Sequence, residues 1–157
     1  MRLYLVRHAH AGNRSAWDGP DHDRPLTPKG RAQSAAIAAE LAGAGISRLV
    51  SSPYTRCVET LVPLGEQLGL DVGTDGRLAE GAGGMAGLEL AAALRKGGDA
   101  AVLCSHGDVI PEMLRLLQHD GTRFKDPLVW PKASTWVVTA DGDAGWTKAR
   151  YLPPPGR

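Results

Sequence analysis

Four short β-like runs, Leu3 to Val6, Leu49 to Ser51, Ala101 to Cys104 and Thr135 to Thr139, are separated by longer stretches with helical spacing. That alternation marks βαβ units, so the expected fold class is α/β: a three-layer α/β/α sandwich with a mostly parallel central sheet and helices on both faces. At 157 residues the chain has the length of one domain and can bury roughly two-thirds of its unfolded surface in a single core. Residues 1–152 are read as that domain, and Pro153-Pro154-Pro155-Gly156-Arg157 as a disordered tail. No internal repeat is visible.

Local signals place the helices. Thr27-Pro28 pairs a capping hydroxyl with proline at the first helical position, and the Ala-rich segment that follows runs to Gly43 and Gly45. A second helix is expected from Tyr54 to Gln67, kinked or shortened by Pro63. A third is expected from Leu88 to Arg95 and a fourth from Val109 to Gln118, with Pro111 harmless in its first turn. Trp146 to Leu152 reads as a last edge strand. Gly12 to Pro25 is a long polar loop, and Glu80-Gly81-Ala82-Gly83-Gly84 reads as a flexible segment.

The charge balance narrows the function. Eighteen Lys and Arg residues stand against 17 Asp and Glu, a formal charge of +1. No sequence-wide basic field argues for nucleic acid or a membrane surface, so any anion site has to be local. No apolar run approaches the ~18 residues of a membrane span, and the stretch between Arg2 and Arg7 is far too short for a secretory core; a cytoplasmic protein is expected. Cys57 and Cys104 are too few for a disulfide framework and too isolated for a zinc pattern, and are expected as two buried thiols.

The strand ends carry the chemistry. The first run stops at Arg7-His8, which delivers both side chains to the carboxyl edge of the sheet, where open α/β proteins bind ligands. Leu49 to Ser52 turns through Pro53 into a helix that holds Arg56 near its start. Val102-Leu103-Cys104-Ser105 ends at His106, with Gly107 permitting a tight turn. A guanidinium facing one unit of phosphate charge at ~4 Å is worth on the order of 4 kcal/mol at an effective dielectric near 20, so Arg7 and Arg56 together suit a dianion. Cations around His8 disfavour its imidazolium form, and neutral imidazole is the nucleophile toward phosphorus. Glu80, on the glycine-rich segment, is the carboxylate best placed to give the leaving group a proton.

Taken in order, Arg7-His8, Ser52-Pro53 to Arg56, Leu78-Ala79-Glu80 and Ser105-His106-Gly107 resemble the motifs of the histidine phosphatase superfamily, also called the phosphoglycerate mutase-like fold. The resemblance covers nearly the whole chain. It implies that His8 is the phosphoacceptor, that Arg7, Arg56, His106 and Gly107 form the phosphate pocket, and that Glu80 is the proton donor, with no metal or other cofactor. Asn13-Arg14 fall near the position where many relatives keep a phosphate-binding asparagine, and Ala9 replaces the glycine usual after the nucleophile. Arg24 to Gln33 is similar to the small branch typified by the SixA phosphohistidine phosphatases. Arg56 to Thr60, Gly107 to Pro111 and Lys132 to Val137 also resemble the phosphatase domain fused to MutT-type Nudix hydrolases, although no Nudix box is present. Only 25 residues lie between Glu80 and His106, too few for the insertion with which phosphoglycerate mutases enclose a sugar bisphosphate.

Two substrate classes stay open at this point: phosphohistidine on a phosphotransfer protein, and, from the similarity to the Nudix-linked domain, a nucleotide, nucleoside diphosphate or other small phosphorylated metabolite. A phosphoprotein-binding module without turnover is the non-enzymatic alternative. Neither nucleic acid nor membrane is expected as a partner. His10, His22 and His119 are read as structural or solvated, Asp21 and Asp23 as loop-solvating, Trp17 as a pocket cover or a surface side chain, and Lys132 as either a phosphate neutraliser or a solvated lysine.

Overall fold

A computed structural model describes residues 1–142 and 144–156. Seven strands form one sheet: β1 (Arg2–Arg7), β2 (Ile46–Ser51), β3 (Val72–Thr74), β4 (Ala100–Ser105), β5 (Arg123–Phe124), β6 (Thr135–Ala140) and β7 (Trp146–Leu152). Their order is β3-β2-β4-β1-β6-β7-β5. The pairs β2–β3, β2–β4, β1–β4 and β5–β7 are parallel, and β1–β6 and β6–β7 are antiparallel. Four helices complete the fold: α1 (Pro28–Leu41), α2 (Thr55–Leu68), α3 (Gly84–Arg95) and α4 (Val109–His119).

Alternation along the central strands sets the layers, because successive side chains of a strand point to opposite faces. Leu3, Leu5, Ala101 and Leu103 face one way and pack with Leu90, Leu94, Ile110, Met113 and Leu114 of α3 and α4. Tyr4, Val6, Val102 and Cys104 face the other way and pack with Ile37, Leu41, Leu61 and Leu64 of α1 and α2. The expected three-layer arrangement is therefore present, with each helix pair burying a stripe repeated at helical spacing.

Several boundaries differ from the sequence expectation, each for a physical reason. α3 begins at Gly84, so Glu80 to Gly84 is not wholly irregular. A Cβ on Gly84 or Gly87 would lie within 2.7 Å of atoms of Glu112 or Met113, and this close approach to α4 outweighs glycine's poor helix propensity. Pro63 neither ends nor visibly shortens α2; Pro63 and Glu59, whose carbonyl loses its helical donor, are both only half-buried. β7 is not the edge, because two-residue β5 pairs outside it. The disordered-tail expectation is corrected for residues 153–156: Pro154 is buried, and Pro154 to Gly156 share a groove with Ala32 and Ala36 of α1. Arg157 lies outside the described residues.

Candidate active site

Because β1, β2 and β4 are mutually parallel, their carboxyl ends meet at one edge. Arg7 is in register with Ser105, and Ser51 with Cys104. The next residue in each case, His8, His106 and Ser52, leaves the sheet at the same place. Arg56 joins them from the first turn of α2. Together Arg7, His8, Arg56, Glu80, His106 and Gly107 line a cleft of about 320 Å³. Sequence reasoning placed all six there.

His8 is held from both ends. Its backbone N–H donates to the Ser105 carbonyl at 3.1 Å, and its Nδ1 lies 2.8 Å from the Ala9 carbonyl. A carbonyl can only accept, so Nδ1 carries the proton and Nε2 keeps the lone pair. Burial is the main cause that pushes the His8 pKa down, to about 3; the Ala9 carbonyl opposes it, and His106, Arg56 and Arg7 add to the depression. His8 is thus a neutral nucleophile at ordinary pH. Ala9 is locked in turn, since its N–H donates to Thr60 Oγ1 at 3.0 Å.

Around it the cationic cradle is built from loops as well as strand ends. Arg7 Nη1 donates to the Trp130 carbonyl at 2.9 Å, and burial lowers the Arg7 pKa. A Cβ at position 107 would sit 2.7 Å from Arg7 Cζ, so the bare Cα of Gly107 gives this guanidinium its room. Arg56 is almost wholly buried, stacks 4.9 Å over the Tyr54 ring and donates to the Asp21 carbonyl, the Asp21 carboxylate and Glu80 Oε2. His106 Nε2 lies 2.8 Å from Ser52 Oγ. Ser52 Oγ accepts from the Tyr54 N–H at 3.3 Å; where the hydroxyl gives its own proton to Nε2, the His106 proton sits on Nδ1.

Three buried nitrogens then have no hydrogen-bond partner among the described residues: Arg7 Nε, Arg56 Nε and His106 Nδ1. Each belongs to a side chain lining the same cleft. A buried donor without an acceptor costs about 1–3 kcal/mol, so these three N–H groups are suited to the oxygens of one bound anion.

Residues that the sequence reading undervalued complete the site. Arg14 lines the cleft, and its Nη2 donates to Glu80 Oε1 at 2.9 Å and Oε2 at 3.1 Å. Arg24 is buried and donates to Asp21 and to the Ala11 carbonyl. Asp21 is therefore no solvating loop residue: it joins Arg14, Arg24 and Arg56. Burial raises the Asp21 pKa, but the Arg24 hydrogen bond and the charges of Arg56, Arg24 and Arg14 outweigh it and lower the value overall. Lys132 lines the cleft, and burial together with Arg7, Arg24, Arg56 and Lys29 lowers its pKa. It follows Pro131 and precedes Ala133, whose φ of 67° is left-handed and whose N–H reaches both the Arg7 and His8 carbonyls. No short motif announces these long-range pairings, although the density of charge between Arg14 and Arg24 was a usable signal.

Asn13 does not line the cleft. Its Oδ1 accepts from the N–H and hydroxyl of Ser15 and caps a 3-10 turn over Arg14–Ala16, while its neighbours Gly12 and Arg14 face the cleft. Trp17 does not line it either; its indole N–H donates to the Pro20 carbonyl. His22 packs on Tyr54 at 4.8 Å, and His119 ends α4. Cys57 and Cys104 are buried thiols, with Cys57 Sγ 3.5 Å from His106 Nε2. Among the described residues no helix is long and apolar enough to cross a membrane.

Residues 3–97 match the model of the histidine phosphatase superfamily, branch 1. An 8-oxo-(d)GTP phosphatase of Mycolicibacterium smegmatis is 33% identical over 160 residues, which cover 98% of this chain and 48% of that protein. The chain thus spans about half the length of this curated relative. Among solved structures, the protein histidine phosphatase SixA complexed with tungstate superimposes with a TM-score of 0.77 at 23% identity, over 97% of this chain and 94% of that one. A mycobacterial glucosyl-3-phosphoglycerate phosphatase gives 0.74 at 21% identity, over 96% of each chain. At these identities the structural likeness is one of fold. The family match, which takes in the strand end at His8, the turn before Arg56 and the segment around Glu80, establishes that this chain belongs to the histidine phosphatase superfamily, branch 1.

Proposed function

We propose that the chain is a metal-independent phosphatase that transfers a phosphoryl group from its substrate to His8 and then to water. The observation that carries this reading is the set of three buried, unpartnered donors, Arg7 Nε, Arg56 Nε and His106 Nδ1, around a neutral His8. The guanidinium groups supply the positive charge that phosphoryl transfer needs, so the step runs without a bound cation.

His8 Nε2 attacks phosphorus, the bond from phosphorus to the leaving group breaks, and the leaving group takes the electron pair. Glu80 is assigned the proton donor when the leaving group needs one; to act it must first let go of Arg14 and Arg56. In the second step water attacks the phosphohistidine, Glu80 accepts the water proton, the P–N bond breaks and the electron pair returns to His8. Asn13 has no assigned role in binding phosphate here.

On substrate, the SixA-like branch supports protein phosphohistidine, and the relative named for 8-oxo-(d)GTP supports a nucleotide. A groove that adjoins the cleft and carries Arg7, His10, Lys29 and Lys132 in its lining favours the second reading. Brief incubation with a radiolabelled aryl phosphate, followed by denaturation, is the test. Acid-labile, base-stable label that is absent from His8→Asn supports the reading; no label on the wild type leaves only a phosphate-binding module and overturns it.

A further inference from the structure

Next to the catalytic cleft, and sharing Arg7 and Lys132 with it, runs a groove of about 660 Å³. That volume lies in the range of small-molecule sites. Arg7, His10, Lys29 and Lys132 contribute to its lining and, among the described residues, no carboxylate does, in contrast to the cleft itself, where Glu80 and Asp108 are present. Neither the Lys29 nor the Lys132 side chain has a hydrogen bond or ion pair to any described residue. The two lysines act electrostatically on the same neighbour: burial, then Lys132, then Lys29 lower the His10 pKa.

Lys29 is the second residue of α1, where the amide dipoles of the helix start already make the potential positive. A lysine there works against helix stability. Lys29 is exposed, so its charge is free to meet an anion in the groove. The rest of the lining is largely apolar: Ala32 and Ala36 lie on the same face of α1 as Lys29, and Pro154 and Pro155 come from the segment after β7, so charged and uncharged groups line one groove.

We propose that this groove holds the leaving half of the substrate, with a second phosphate between Lys29 and Lys132, so that the bond broken is a phosphoanhydride and the preferred substrates are nucleoside diphosphates. The inference rests on His8 as the nucleophile. In the transfer, the bond between the terminal phosphorus and the bridging oxygen breaks, the bridging oxygen keeps the electron pair, and a nucleoside monophosphate departs. Phosphate is a good leaving group, so this step does not require a proton from Glu80, which is consistent with a carboxylate engaged by Arg14 and Arg56.

The test compares ADP with p-nitrophenyl phosphate, which has no second phosphate. Lys29→Ala raises KM for ADP roughly tenfold, the loss expected for one charge-assisted contact. It leaves kcat for ADP, and both constants for p-nitrophenyl phosphate, within about twofold, and Lys29→Arg restores most of the ADP affinity. No change with ADP, an equal change with both substrates, or turnover of p-nitrophenyl phosphate without turnover of ADP overturns the inference. If the wild type hydrolyses neither, the phosphatase reading fails, and calorimetry with inorganic pyrophosphate judges the groove by itself. Pyrophosphate bound roughly tenfold more tightly than phosphate, with that preference lost in Lys29→Ala, supports it; equal affinities overturn it.

Discussion

Asp21 holds the Arg56 guanidinium twice, with its backbone carbonyl 3.0 Å from Nη1 and its carboxylate 3.1 Å from Nη2. A loop residue thereby compensates a cation buried at the start of α2, and the same carboxylate reaches Arg24 and Arg14. The polar loop after His8 is tied to the phosphate cradle by charge rather than by apolar packing, since its two 3-10 turns bury no residue.

The Asp21 pKa is depressed by these arginines, so its stabilising effect is full above its unfolded value, about 3.9, and is lost as pH falls through the folded value. Asp21→Asn is expected to lower stability at pH 7 and to flatten the loss of stability on acidification below about pH 4. Urea midpoints for both proteins at pH 7 and in the acid range check this. Parallel curves would show that the carboxylate charge is not what secures the loop.

His8 has a linkage of the same sign in a higher pH window. Its folded pKa of about 3 lies below its ordinary value of 6.5, so across that window the unfolded chain binds a proton that the folded chain refuses. Stability from this group falls as pH drops, by at most about 1.4 kcal/mol per pH unit. His8→Ala is expected to cut kcat by about 10³-fold or more, keep the circular dichroism of the wild type, and reduce the slope of stability against pH between about 6 and 4. Wild-type hydrolysis by the variant would remove the nucleophile assignment.

Gly107→Ala forces a methyl group into the space of Arg7, 2.7 Å from both Cζ and Nη2. The far end of an arginine can move, so the stability cost is modest, under about 1.5 kcal/mol. The phosphate contact moves with it. Calorimetric titration with inorganic phosphate is expected to show roughly tenfold weaker binding; unchanged affinity means that Arg7 does not hold the anion.

Glu80→Gln keeps the size of the side chain while removing the proton it could give. For aryl phosphates of graded leaving-group pKa, the loss in kcat/KM is expected to grow from a few-fold for good leaving groups to about 10²-fold or more for poor ones. An equal loss across the series would assign Glu80 to positioning Arg14 and Arg56 instead.

Legibility from sequence followed interaction range. The Thr27 cap, whose Oγ1 accepts from the Gly30 N–H at 3.1 Å, and Pro28 behind it were readable because cap and amide lie within one turn of chain. So were the alternating faces of β1 and β4. α3 starts four residues before the helix expected at Leu88, because Gly84 and Gly87 look like loop until α4 lies against them. Strands of three and two residues, β3 and β5, carry too few side chains for a period to show.

By itself the sequence determined the α/β class, the helix that follows Thr27, and the strand ends that present Arg7, His8 and His106. These depend on neighbours within a few residues and on a two-residue period, both written in the local chain. Only the tertiary structure decided that Asp21, Arg24 and Arg14 close around Arg56 and Glu80, that Asn13 serves its own loop, and that Lys29 stands beside Lys132. Those pairings join segments tens of residues apart. Coulomb attraction and burial select such partners by distance in space, a quantity that exists only after the sheet has brought the segments together.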